Sequence, residues 1–216
     1  MAAIAVIGGT GALGKGIARR LVKAGHRVTI GSRSADKARA TSEELGAADY
    51  AENGDAAANK DVVIVAVPHG SQGDTLRQIA GAIGTAVVVD TTVPLVPPKV
   101  MRVQLPAEGS AAMQAREHLG PDARLVTAFH NVSAHHLDSD HAIECDVLVF
   151  SDDVEARQVV VDLCPGMGLR GLSGGALANS AAAEALTSIL IYMNKTYKAD
   201  GAGIRFTNLA AAPQMP

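Results

Sequence analysis

The sequence predicts an α/β protein: a doubly wound, mostly parallel sheet followed by a small helical part at its C-terminal end. Three observations predict it. The short runs at residues 3–7, 62–67 and 86–89 are apolar throughout and do not alternate, as expected of strands covered on both faces. A helix-period stripe, Leu13, Ile17, Ala18 and Leu21, separates the first run from a second strand candidate at residues 27–30. Strand and helix signals then keep alternating toward Gly174, the pattern of an open sheet wound on both faces.

The first helix stops at Gly25, where a left-handed cap costs least. Further strands are expected at residues 125–129 and 147–150, and a last one at 168–172. Helices are expected near residues 36–45, 110–119 and 154–163. The stretch 94–106 holds four prolines and reads as an ordered excursion. After Gly174-Gly175 an alanine-rich helix over residues 181–193 carries Leu186, Ile189, Leu190, Met193 and Tyr197 on one stripe, expected to fold back on the sheet. The organisation is therefore a sheet domain over residues 1–174, a helical tail over 175–209 and a frayed terminus over 210–216.

With 216 residues, 48% hydrophobic and 19% charged, the chain can bury one substantial core and is not of the disordered class. A formal net charge of -3 argues against a surface built for nucleic acid or acidic membrane, so any anion site is local. The absence of Trp, with three Tyr and three Phe, leaves little for stacking single-stranded bases. No apolar run reaches the ~18 residues of a membrane span. Two cysteines without a secretory signal point to a reduced, cytoplasmic setting.

The motif that carries chemistry is Gly8-Gly9-Thr10-Gly11-Ala12-Leu13-Gly14, in which Gly9, Gly11 and Gly14 satisfy G-x-G-x-x-G between a strand and a helix. Glycines there allow a tight turn and close approach of the backbone to a diphosphate, while free N–H groups and the helix dipole face the anion. This is the Rossmann dinucleotide fingerprint. In enzymes that use NAD the second strand ends in a carboxylate that accepts from the ribose hydroxyls. Here it ends Gly31-Ser32-Arg33, with Lys37 one turn beyond: a hydroxyl, a guanidinium fork and an ammonium where a 2′-phosphate would lie. NADP(H) is the expected cofactor.

Ligands in such sheets sit beyond the carboxyl ends of the strands. The segments Val67-Pro68-His69-Gly70, Asp90 to Pro94 and His130-Asn131-Val132-Ser133-Ala134 are thus expected to wall the nicotinamide and substrate. His69 and His130 read as polar lining more than as acid or base, and Thr91 and Thr92 as turn caps. His130, His135, His136 and His141 with Asp138 and Asp140 match no paired metal-ligand spacing. Short-chain dehydrogenases need Tyr followed four residues later by Lys, yet Gly54, Thr196 and Gly201 follow the three tyrosines at that offset. Hydride exchange between two cofactors needs chiefly proximity and orientation of two flat rings, with no dedicated acid or base on the protein.

These residues resemble a family, the NADPH-dependent reductases of the deazaflavin coenzyme F-420, or F-420:NADP oxidoreductases. The similarity spans nearly the whole chain. It rests on the glycine bend through Gly16, on Gly31-Ser32-Arg33 with Lys37, on Ala178-Asn179-Ser180 leading to Glu184-Ala185-Leu186-Thr187, and on Gly201 to Phe206. The resemblance implies that Gly9, Thr10, Gly11, Ser32, Arg33 and Lys37 hold the phosphorylated end of NADP(H), with Ala12 and Leu13 meeting the pyrophosphate through their backbones. It places Val67, Pro68, Val93, His130, Asn131 and Ala134 near the nicotinamide and deazaflavin. Hydride exchange between NADP(H) and F-420 and a homodimeric assembly are the implied activity and state. The chain departs from the family's pattern at His69, where an aromatic residue is usual. Lys99, Arg102 and Arg205 are candidates for the acceptor's phosphate and acidic tail. Two other functions remain open on residues alone: reduction of another small acceptor such as an imine, a pterin or a hydroxy acid, and a non-catalytic NADPH-sensing module.

Overall fold

The computed structural model describes residues 1–210. Its core is an eight-stranded sheet in the order β3-β2-β1-β4-β5-β6-β7-β8. The first half is β1 (Ala3–Ile7), α1 (Ala12–Lys23), β2 (Arg27–Ser32), α2 (Ala35–Leu45), β3 (Asp49–Glu52), α3 (Asn53–Ala56) and β4 (Val62–Val65). The second half continues with α4 (His69–Ile79), β5 (Val87–Asp90), α5 (Ala111–Leu119), β6 (Leu125–Thr127), α6 (Ala134–Leu137), β7 (Asp146–Phe150), α7 (Val154–Gly166), β8 (Arg170–Gly175) and α8 (Ser180–Tyr197). Strands β1 to β6 are parallel, β7 runs antiparallel to β6, and β8 is parallel to β7.

Alternate residues of each inner strand feed two apolar layers, as a pleated strand requires. Ile4, Val6, Val62 and Ile64 pack with Ile17 and Leu21 of α1 and Val160 and Leu163 of α7. Ala5, Ile7, Val63 and Val65 pack on the opposite face with Leu76 and Ile79 of α4 and Ala112 and Ala115 of α5. A sheet covered on both faces exposes binding loops at its strand ends.

Three elements lie outside what the apolar periodicity predicts. Strand β3 is an edge strand with no buried residue, so its sequence has no apolar run. Helix α3 has four residues. Helix α4 begins at His69, within the segment read as a loop, and half of its buried stripe is polar: Gln72 and Thr75 join Leu76 and Ile79. The last strand also lies further along than expected, at Arg170–Gly175.

Helix α8 buries only part of its apolar stripe: Leu190 is buried and Leu186 half-buried, and the rest of the buried face is small or polar. Ser180, Ala183, Glu184, Ser188 and Leu190 are buried, whereas Ile189, Met193 and Tyr197 are exposed. The reason is the surface it meets, which is polar: the amide end of α5, Thr127 and Asn131. Of the terminus expected to fray, residues 211–216 lie outside the described residues.

Candidate functional site

In the bend between β1 and α1, Gly8, Gly9 and Gly14 leave no room for a side chain. Gly8 has φ +75, and a Cβ on it would stand 2.5 Å from the Ala66 carbonyl oxygen. A Cβ on Gly14 would come as close to the Gly8 carbonyl, and one on Gly9 would press on Val6. The Gly9 amide donates to Gly31 O at 3.0 Å, which ties the bend to β2. Helix α1 has no side-chain cap and no acidic residue in its first turn, so its leading amides and dipole face outward uncompensated. That is the cradle a diphosphate fits.

A cleft of about 230 Å³ opens beside this bend. Its polar wall is Thr10, Ser32, Arg33, Ser34 and Lys37, and its apolar wall is Ala66, Val67 and Pro68 at the end of β4. The local hydrogen bonds aim the polar wall. Ser34 Oγ accepts from the Lys37 amide at 3.4 Å and so starts α2, while the Ser34 amide donates to Ser32 Oγ at 3.3 Å. The Ser32 hydroxyl thereby keeps its own proton available. Arg33 and Lys37 are exposed and take part in no ion pair among the described residues. Two free cations and three hydroxyls without a carboxylate give this wall the chemistry that suits a dianion.

Further along the carboxyl edge, the ends of β4, β5 and β6 lie side by side, Val65 beside Asp90 and Asp90 beside Thr127. Beneath them runs a buried polar network. Asp90, fully buried, accepts from Gln72 Nε2 at 2.5 Å and Thr92 Oγ1 at 2.7 Å. Burial pushes its carboxyl up to about 6 against these two donors, and the nearby Glu184 adds to the rise. Gln72 also donates to Ala111 O at 3.0 Å. Glu184 caps α5, accepting from the Ala111 and Ala112 amides at 2.6 and 3.1 Å. Its carboxyl is likewise raised by burial, partly offset by those amides and by Ser180.

The same network fixes a proton. Ser180 Oγ donates to Glu184 Oε1 at 2.9 Å and accepts from Thr127 Oγ1 at 2.9 Å. Its remaining contact, His130 Nε2 at 3.4 Å, must then be a donor to it. His130 therefore carries its proton on Nε2 and holds Nδ1 as a bare acceptor, and Nδ1 is buried without a partner. Burial drops this imidazole to about 4, so it is neutral at ordinary pH.

The structure thus gathers Thr10, Gly11, Ser32, Arg33, Lys37, Val67 and Pro68 in one cleft. Gly9, Ala12 and Leu13 belong to the same bend. Val93, His130, Asn131 and Ala134 stand apart from that cleft, in the segments that follow β5 and β6, with Ala134 opening α6. Asn131 uses its amide on α8, donating to Ala183 O at 2.8 Å and Thr187 Oγ1 at 3.2 Å. Of the other basic candidates, Arg205 faces Glu144 at 3.5 Å. The cleft also takes in Gly8, Ser34, Asn53, Ser71 and Thr75, which are not among the residues expected from the sequence to bind the cofactor. Asn53 follows an unannounced strand, and Ser71 and Thr75 lie on an unannounced helix. Only Gly8, next to the fingerprint, had a legible signal.

Fold, bend and cleft together define a Rossmann-type dinucleotide-binding protein whose adenosine end is shaped for an added phosphate. Residues 3–94 match the family described as NADP oxidoreductase, coenzyme F-420-dependent. The F-420-dependent NADP reductase of Methanocaldococcus jannaschii is 38% identical over 95% of this chain and 98% of its own length. That of Methanothermobacter thermautotrophicus is 40% identical, covering 95% of each chain. A proposed F-420-dependent NADP reductase from Arthrobacter sp. FB24 superposes with a TM-score of 0.85 at 22% identity, over 96% of this chain and 100% of that one. The chain belongs to the F-420-dependent NADP oxidoreductase family.

Proposed function

We propose a division of labour along the carboxyl edge of the sheet for the family's reaction, hydride transfer between NADP(H) and the deazaflavin coenzyme F-420. The chain is an NADP-dependent oxidoreductase, and the two coenzymes supply the redox chemistry themselves. The protein binds and orients. The amides of Ala12 and Leu13 hold the diphosphate, and Ser32, Arg33, Lys37 and Thr10 hold the 2′-phosphate. Val67, Pro68 and Val93 are the apolar wall for the nicotinamide, with Asn131 and Ala134 shaping the far side. His130 Nδ1 offers a fixed acceptor to an N–H on a ring edge. No side chain here needs to ionise during the reaction, which fits an imidazole held neutral by burial.

The observation that carries this reading is the meeting of the glycine bend with Ser32, Arg33 and Lys37 in one cleft, in a chain alike over 95% of its length to two F-420-dependent reductases. Mixing the purified protein with NADPH and oxidised F-420 tests it directly. The deazaflavin band should bleach as NADPH is consumed in equal amount. Tight NADPH binding without bleaching would instead assign the cleft to another acceptor or to a sensor.

We further infer a homodimer formed through the outer face of α8. Ile189, Tyr192 and Met193 are exposed there at 45%, 53% and 38%. Met101, Val103 and Leu105 of the proline-rich excursion are also exposed, and Ser188 Oγ binds Arg102 O to hold that excursion against the helix. Exposed apolar residues on these two elements fit a second copy of the chain across a two-fold axis. Among the described residues no helix is long and apolar enough to cross a membrane, and both cysteines are free and buried. These features fit a reducing cytoplasmic location.

A further inference from the structure

We infer that Asn53 reads the adenosine ribose, taking the place of the carboxylate that NAD enzymes keep at the end of β2. The inference rests on reading the cleft as the NADP(H) adenosine site. Asn53 is 2% exposed, lines that cleft, and its Oδ1 is buried with no hydrogen-bond partner. A buried acceptor left orphaned costs free energy unless something completes it.

Its position tells what completes it. Ser32 pairs with Glu52 across the β2–β3 ladder, so Asn53 is the next residue beyond the phosphate-reading strand end. The first turn of α3 packs against the same strand, since a Cβ on Gly31 would stand 3.1 Å from Ala56 Cβ. The 2′-phosphate belongs to Ser32, Arg33 and Lys37, and the diphosphate belongs to the glycine bend. The group covalently linked to both is the ribose, and Asn53 shares the cleft with both sets of residues. In NADP(H) the 2′ oxygen of that sugar is phosphorylated, which leaves the 3′-hydroxyl as its free O–H donor. Asn53 Oδ1 accepts that proton. A carboxylate would accept it too but would repel the phosphate beside it; a neutral amide accepts without repulsion, and its N–H groups are compatible with phosphate oxygens.

Calorimetric titration with adenosine 2′,5′-bisphosphate and its 3′-deoxy analogue tests the inference without turnover. Wild type should bind the 3′-deoxy compound about tenfold more weakly, the size of one lost hydrogen bond. Asn53→Ala should bind both compounds alike, at the weaker level. Asn53→Asp keeps the shape and the acceptor, so it should still tell the two compounds apart while losing its preference for the bisphosphate over 5′-AMP. Asn53→Ala retaining the wild-type ratio, or Asn53→Asp retaining the wild-type phosphate preference, would overturn the assignment. Arg33→Asp separates the two levels of the argument. It should weaken both compounds and leave their ratio intact, whereas unchanged binding would reject the cleft itself as the adenosine site.

Discussion

At His130 and Asp90, burial acts on two titratable groups in opposite directions within one pH window. His130 titrates near 4 in the folded chain and at its ordinary 6.5 when unfolded, so the unfolded state takes up the proton first on acidification. Its contribution to stability is complete above about 6.5 and is lost as pH falls toward 4. Asp90 titrates at about 6 when folded against 3.8 unfolded, so the folded state holds the extra proton between those values. Its contribution is complete below about 4 and is lost as pH rises through 6. Each shift is on the order of 3 kcal/mol at about 1.4 per unit, and the two nearly cancel. His130→Gln should therefore become more stable at pH 4.5 relative to pH 7 than wild type does, and Asp90→Asn less so. Urea unfolding at the two pH values measures both, and parallel curves for all three proteins would contradict the burial argument. Gly14→Ala makes a separate point. Its Cβ would overlap the Gly8 carbonyl, so the bend must open. NADPH affinity should fall by at least tenfold while the melting temperature moves only a few degrees.

Helix α5 begins at a carboxylate from another part of the chain. Ser110 Oγ accepts from the Met113 amide at 3.1 Å, and Glu184 covers the two preceding amides. Glu184→Ala leaves those amides and Ser180 without their acceptor and should cost about 3 kcal/mol in chemical unfolding. Glu184→Gln keeps an acceptor and should lose less. Glu184 lies 72 and 73 residues from the amides it caps, which is why the sequence alone cannot pair them. The β1–α1–β2 unit was legible because its apolar periods, glycines and cationic strand end are all local signals. Strand β3 and helix α4 were not, because an exposed edge strand and a helix that buries Gln72 and Thr75 have no apolar period to read. The exposed stripe on α8 was legible as a stripe, but not as a surface, since its inner face is matched to polar partners on α5 and β6.

Across the whole molecule, the proposed division of labour follows the order of the strands, with phosphate recognition over β1 to β3 and ring contacts over β4 to β6. The two reversed strands, β7 and β8, extend the sheet beyond β6, and β7 also packs against α8. For the proposed dimer through the outer face of α8, Ile189→Lys combined with Tyr192→Glu should give a monomer in sedimentation velocity. A wild type that sediments as a monomer at micromolar concentration would reject that interface. The central claim concerns the choice of nucleotide, and kcat/KM for NADPH and NADH, with F-420 as acceptor, measures it for wild type and Arg33→Asp. Wild type should favour NADPH by roughly a hundredfold or more, the scale of two charge-assisted contacts, and Arg33→Asp should bring the two nucleotides close to parity. Equal use of both by wild type, or an unchanged preference in the variant, would contradict the account.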